Sequence, residues 1–216
     1  MSAAEVEARA RSSGMLTVDS VDADTRTWSN GASTREFEGY RVARMDFLET
    51  PDARFHGLPD YPFAANRTQV DADWLTMHYV DEGPRAAAPI LMLHGEPTWS
   101  YLYRHMIPPC VKAGQRVIAP DLIGFGKSDK PTRITDYTYA RHVAWVRDLI
   151  VQLNLRDITL VCQDWGSLIG LRLAAENEER FARIALSNGM LPTGEQHFPA
   201  AFKMWRTFAR VSPWFP

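Results

Sequence analysis

A chain of 216 residues with 45% hydrophobic and 11% aromatic side chains can bury a substantial core and has the size of one ordinary domain, which excludes a disordered or fibrous protein. Its formal net charge of −2, with Lys and Arg scattered along the chain, leaves no electrostatic footprint for nucleic acid or an anionic membrane, so a small substrate not selected by charge is expected. Two cysteines, Cys110 and Cys162, are too few for a disulfide framework, and with neither an apolar leader nor a run of about 18 apolar residues the chain reads as soluble and cytoplasmic.

Met1 to about Glu38 is rich in Ala, Ser, Thr, Asp and Arg with few large apolar side chains. Little there offsets the entropy of ordering, and residues 1–44 are expected to form a disordered extension. Segments Arg67–Val70 and Leu75–Val80 flank the turn signal Asp71-Ala72-Asp73, and the alternation of Leu75, Met77 and Tyr79 predicts an antiparallel hairpin at a sheet edge. A βα rhythm follows: strand Pro89–Leu93, helix from about Ser100 to Ala113, strand Arg116–Ala119, helix from about Thr138 to Leu153. Strand Ile158–Cys162, a helix from about Trp165 to Glu176 and strand Arg183–Leu186 complete it. Strands this apolar belong in a mostly parallel sheet covered by helices, an α/β class. Residues 45–190 are read as this core. After Met190 the rhythm stops, and in 191–216 the helical spacing of Phe202, Trp205 and Phe208 suggests the beginning of an inserted cap.

The junction Cys162-Gln163-Asp164-Trp165-Gly166 has the form of a nucleophile elbow, with a small residue two before and two after the central one and Asp in the usual Ser position. The small flanks suit a strained turn in which strand and helix backbones approach closely. That turn would hold Asp164 out at the carboxyl end of the sheet, where open α/β sheets place ligands. An N-cap role is the plainer reading of an Asp at a helix start, but the spacing after a central strand favours a nucleophile. Ser167 lies inside the first helical turn and fits less well. After strand Pro89–Leu93 comes His94-Gly95-Glu96-Pro97-Thr98-Trp99-Ser100, where this architecture places its oxyanion loop. Backbone N–H groups of Glu96 and Trp165 are the expected donors. His94 is read as fixing loop shape by hydrogen bonding and not as a base. Gly126-Lys127-Ser128 fails as a phosphate loop, because Asp121 stands where Gly is needed and Pro131 blocks a following helix. No histidine has metal-ligand spacing, so no metal is expected.

Five runs together resemble the haloalkane dehalogenases: LETPDARFHGLPDYPF from Leu48, HGEPTWSYLYR from His94, APDLIGFGKSDKP from Ala119, YTYARHVAW from Tyr137 and VCQDWGSLIGLRLA from Val161. Within that family they are similar to the subgroup with Glu after His-Gly. The resemblance covers about Met45 to Phe215. It implies an α/β-hydrolase core with a helical cap, no cofactor, and hydrolysis of a small apolar halogenated substrate to an alcohol, a halide ion and a proton. By resemblance, Asp164 forms the alkyl ester, and the indole N–H groups of Trp165 and Trp205 bind the halide, with Trp214 a less well-aligned rival and Trp205 also readable as a helix-face core residue. A monomer is expected for the full-length protein.

The chemistry suits these residue types. Displacing halide from an sp³ carbon needs an anionic nucleophile at neutral pH, which a carboxylate provides and a serine does not. The leaving halide needs no proton, only donors in an apolar site, and indole N–H groups are donors on large apolar bodies. Ester hydrolysis needs a histidine base and an acid to orient it. None of the six histidines matches the family's base, so the chain is expected to be C-terminally truncated, to lack base and acid, and to react at most once, with insolubility or loose packing the expected fate. Two alternatives stand beside this. An epoxide hydrolase would share the Asp nucleophile but uses cap tyrosines, and no Tyr follows Tyr139. A non-catalytic remnant would fit the absent base but not the intact elbow.

Overall fold

The computed structural model describes residues 45–71, 75–190 and 199–212. The chain divides into two units between Asp46 and Phe47, and the extension expected over 1–44 lies outside the described residues. In the second unit a short strand β1 (Phe47–Leu48) precedes the main sheet, which begins with β2 (Asn66–Val70), β3 (Leu75–Glu82), β4 (Pro89–Leu93) and β5 (Arg116–Pro120). A further short strand, β6 (Lys130–Pro131), pairs antiparallel with β1, and β7 (Ile158–Gln163) and β8 (Phe181–Ser187) complete the main sheet. Its order is β2-β3-β5-β4-β7-β8.

The expected hairpin is present, with Val70 opposite Leu75 and Thr68 opposite Met77. The alternation puts Leu75, Met77 and Tyr79 in the core. β3 also pairs antiparallel with β5, while β5, β4, β7 and β8 run parallel. Parallel neighbours need crossover connections, and helices supply them. One is α1 (Ile107–Lys112). A single helix from Ser100 to Ala113 was expected; instead a 3₁₀ turn spans Ser100–Tyr103 and α1 starts only at Ile107. Pro108 and Pro109 explain the break. Proline has no N–H to donate and clashes with the preceding turn, so the pair fits only the first turn of a new helix. Helix α2 (Tyr139–Gln152) starts at Thr138, whose hydroxyl accepts the Arg141 N–H, and buries Val143, Trp145, Val146, Leu149 and Ile150. Their i, i+3, i+4 spacing is the stripe that seats a helix on a sheet.

Helix α3 (Asp164–Glu176) follows β7 without a loop. In the parallel register Leu93 lies opposite Cys162. The chain leaving β4 and the elbow leaving β7 therefore emerge side by side at the carboxyl ends of adjacent strands. β8 is the edge strand, and Ile184 (49%) and Leu186 (48%) are exposed. Helix α4 (Ala200–Val211) carries Phe202, Trp205 and Phe208 as their spacing predicted, and buries none of its residues. The rest of the expected cap segment, 191–198 and 213–216, lies outside the described residues. No described helix is long and apolar enough to cross a membrane.

Candidate active site

The elbow is a backbone feature before it is a chemical one. Gln163 ends β7 in extended conformation, and Asp164 then turns to φ +50°. A non-glycine residue in that region is strained and persists only where its surroundings fix it. Several contacts do so. The Asp164 N–H donates to the Asn188 carbonyl at 3.2 Å, just past β8, and the Ser167 hydroxyl donates to the Asp164 carbonyl at 2.5 Å. Gly166 allows α3 to start against β4, since a Cβ there would lie 2.2 Å from the Leu93 carbonyl oxygen and 2.5 Å from that of His94. Ser167, buried and committed to the turn, is not presented as a nucleophile. Asp164 and Trp165 are exposed.

Facing the elbow, the Glu96 N–H donates to Asp164 Oδ1 at 2.9 Å. This approach requires Gly95, because a Cβ there would lie 2.2 Å from Asp164 Oδ1. The Gly95 carbonyl points the other way and accepts from the Thr98 N–H (3.0 Å) and hydroxyl (2.9 Å). Trp165 follows Asp164 in the first turn of α3, where N–H groups have no acceptor within the helix. His94 is fully buried. Its Nε2 accepts the Leu122 N–H at 2.9 Å, which leaves the proton on Nδ1 to donate to the Gly95 carbonyl at 2.9 Å. Burial pushes its pKa below the ordinary imidazole value. Both nitrogens are engaged in holding the loop.

Asp121 also lies beneath this loop and is fully buried. Its Oδ1 accepts the Ser100 N–H (2.9 Å), and its Oδ2 accepts the Lys127 N–H (2.8 Å) and meets His78 Nδ1 (3.0 Å). Burial opposes the carboxylate, but these donors and the neighbouring imidazole outweigh it and hold the carboxyl below its usual pKa. A Cβ on Gly126 would lie 2.3 Å from Oδ2. The Gly126-Lys127-Ser128 turn thus wraps the protein's own carboxylate, which occupies the N–H a phosphate would need.

The model of the α/β hydrolase fold family matches residues 88–214. The chain belongs to the α/β-hydrolase fold family. This α/β-hydrolase is similar to haloalkane dehalogenases: the one from Mycobacterium marinum (strain ATCC BAA-535 / M) is 59% identical over 175 residues, which are 80% of this chain and 59% of that protein. The one from Psychrobacter cryohalolentis is 57% identical over 174 residues, covering 79% and 57%. The chain therefore spans less than two thirds of the curated relatives it matches. Among solved structures, haloalkane dehalogenase DpaA from Paraglaciecola agarilytica NO2 gives a TM-score of 0.72 at 40% identity over 78% of this chain and 57% of that one. Epoxide hydrolase VrEH1 from Vigna radiata gives 0.59 at 27% identity over 68% and 47%.

Of the sequence-predicted residues in this α/β-hydrolase, Asp164, Trp165 and Glu96 are brought together at the ends of β4 and β7. Trp165 is 46% exposed at the start of α3. Trp205 is 52% exposed on α4, its ring 5.8 Å from that of Phe202, and Trp214 lies outside the described residues. His78 faces Asp121, His105 lies 3.9 Å from Asp60, and His142 packs edge-on against Trp145 at 4.9 Å. His197 lies outside the described residues. Among the described residues no three His, Cys, Asp or Glu side chains converge to hold a metal. Sequence reasoning gave no role to Asp121 or His78. The signal was an Asp directly after an apolar strand, ahead of a Gly-x-Gly turn, a combination more readily read as a failed phosphate loop.

Proposed function

We propose that these residues supply the nucleophile and oxyanion loop of haloalkane hydrolysis. Asp164 attacks the halogen-bearing carbon, the carbon–halogen bond breaks with its electron pair leaving on the halide, and an alkyl ester of Asp164 remains. Water then adds to the ester carbonyl; the alcohol departs, a proton is released and the carboxylate is restored. The observation that carries this reading is the 2.9 Å hydrogen bond from the Glu96 N–H to Asp164 Oδ1 at a left-handed elbow. With Oδ1 held, Oδ2 is the attacking oxygen. Oδ1 becomes the ester carbonyl oxygen, already placed on the donor that stabilises its negative charge when water adds. The indole N–H groups of Trp165 and Trp205 receive the halide. Ester hydrolysis needs a base and an orienting acid that we assign to no residue of this chain.

An epoxide hydrolase is the second reading, supported by the 27% identical VrEH1 structure. Both readings begin with an Asp ester, so the electrophile separates them. The folded chain is incubated in parallel with 1-bromobutane and with 1,2-epoxybutane, and intact mass and free bromide are followed. A butyl adduct accompanied by bromide agrees with dehalogenation. A hydroxybutyl adduct alone agrees with epoxide opening, and no adduct in either arm would mean a non-catalytic chain.

A further inference from the structure

We propose that Asp121 is the positioning residue of the oxyanion loop, holding the Glu96 N–H on Asp164 through Leu122 and His94. Its effect on rate rests on the dehalogenase reading above; the geometry does not. Asp121 ties three segments to one buried point: Ser100 at the end of the loop, Lys127 in the turn after β5, and His78 on β3. Its own backbone is fixed as well, with its N–H on the His78 carbonyl (2.9 Å) and its carbonyl accepting the Ser128 hydroxyl (2.6 Å). The next residue, Leu122, presents its N–H to His94 Nε2, and His94 Nδ1 donates to the Gly95 carbonyl. That carbonyl and the Glu96 N–H belong to one planar peptide group, trans to each other. Whatever orients the carbonyl orients the N–H. The link therefore runs from a buried carboxylate, through one residue of backbone and one imidazole, to the donor on the nucleophile. A negative charge suits the position because three donors converge on it, and a neutral amide of the same shape would turn its NH₂ against one of them.

The test uses the ¹⁵N-labelled full chain. The Glu96 amide signal is compared in the wild type, in Asp164→Ala, which marks the unbonded position, and in Asp121→Asn. Asp121→Asn is expected to move the Glu96 signal toward its Asp164→Ala position and to slow alkylation at saturating bromoalkane at least tenfold. An unmoved Glu96 signal in a folded Asp121→Asn protein overturns the proposal. Should that variant not fold, His78 decides: His78→Leu, which removes the Nδ1 donor, is expected to shift the Glu96 amide, and His78→Asn, whose NH₂ replaces that donor, to restore it. Equal shifts in both, or none in either, overturn the proposal. If the wild type is never alkylated while the amide responds to Asp121, the dehalogenase reading fails and the positioning role stands.

Discussion

Gly95 sits where a single added carbon would press on the Asp164 side chain, 2.2 Å from Oδ1 and 2.5 Å from Cβ. Gly95→Ala is expected to displace either the loop or the Asp164 side chain and to lower the alkylation rate at least a hundredfold, measured by single-turnover bromide release, with the fold preserved by circular dichroism. A rate within threefold of wild type would show that the contact at Glu96 is not needed. Asp164→Asn removes the charge at nearly constant volume and is expected to abolish ester formation. Glu96→Gln keeps the main-chain donor and changes only an exposed side chain. It is expected to cost less than fivefold, and a loss as severe as that of Asp164→Asn would give the Glu96 carboxylate a direct role. At this scale the sequence announces what stands out chemically, an Asp at an elbow and a Gly-Glu loop. It conceals Asp121 and His78, whose importance comes from being surrounded: a buried carboxylate is recognised by its donors, and those are contributed by residues 43 positions earlier, 21 earlier and 6 later.

Helix α2 shows the same distinction for an element. Its apolar stripe was legible from spacing, and Trp145, fully buried, is its largest anchor. Trp145→Ala is expected to cost about 3–5 kcal/mol in denaturant unfolding. Three residues earlier, His142 is held mainly by burial, with neighbouring His94 adding to it, at a pKa of about 4 in place of 6.5. Between those values the unfolded chain binds a proton that the folded chain does not, so stability contributed by neutral His142 is complete above pH 6.5 and is lost as pH falls toward 4. The loss amounts to about 3–4 kcal/mol at about 1.4 kcal/mol per pKa unit. His142→Phe is expected to flatten that part of the stability profile without lowering stability at pH 7.5, and an unchanged slope would assign the pH dependence to other groups. The break before α1 was equally written in the sequence, since Pro108-Pro109 forbids a helix running through from Ser100. Apolar periodicity alone gave the longer helix because it ignores the missing N–H groups.

Across the whole molecule, the strand sequence and the parallel character of β4, β5, β7 and β8 followed from composition and rhythm. The antiparallel seat of β3 on β5 did not, because pairing between non-consecutive strands depends on register and loop reach and leaves no local mark. What the fold accomplishes for the site is to bring two carboxyl strand ends together, so that the turn after β4 meets the turn after β7 with one hydrogen bond between them. The account stands on Asp164 being the atom donor to carbon. It is tested most directly by treating the folded chain with 1-bromobutane, digesting it and locating the butyl group by tandem mass spectrometry, with bromide counted alongside. The result predicted is one butyl ester on Asp164, at most one equivalent of bromide, and neither in Asp164→Asn. A butyl group on another residue with Asp164 unmodified, or bromide release that survives Asp164→Asn, would contradict it.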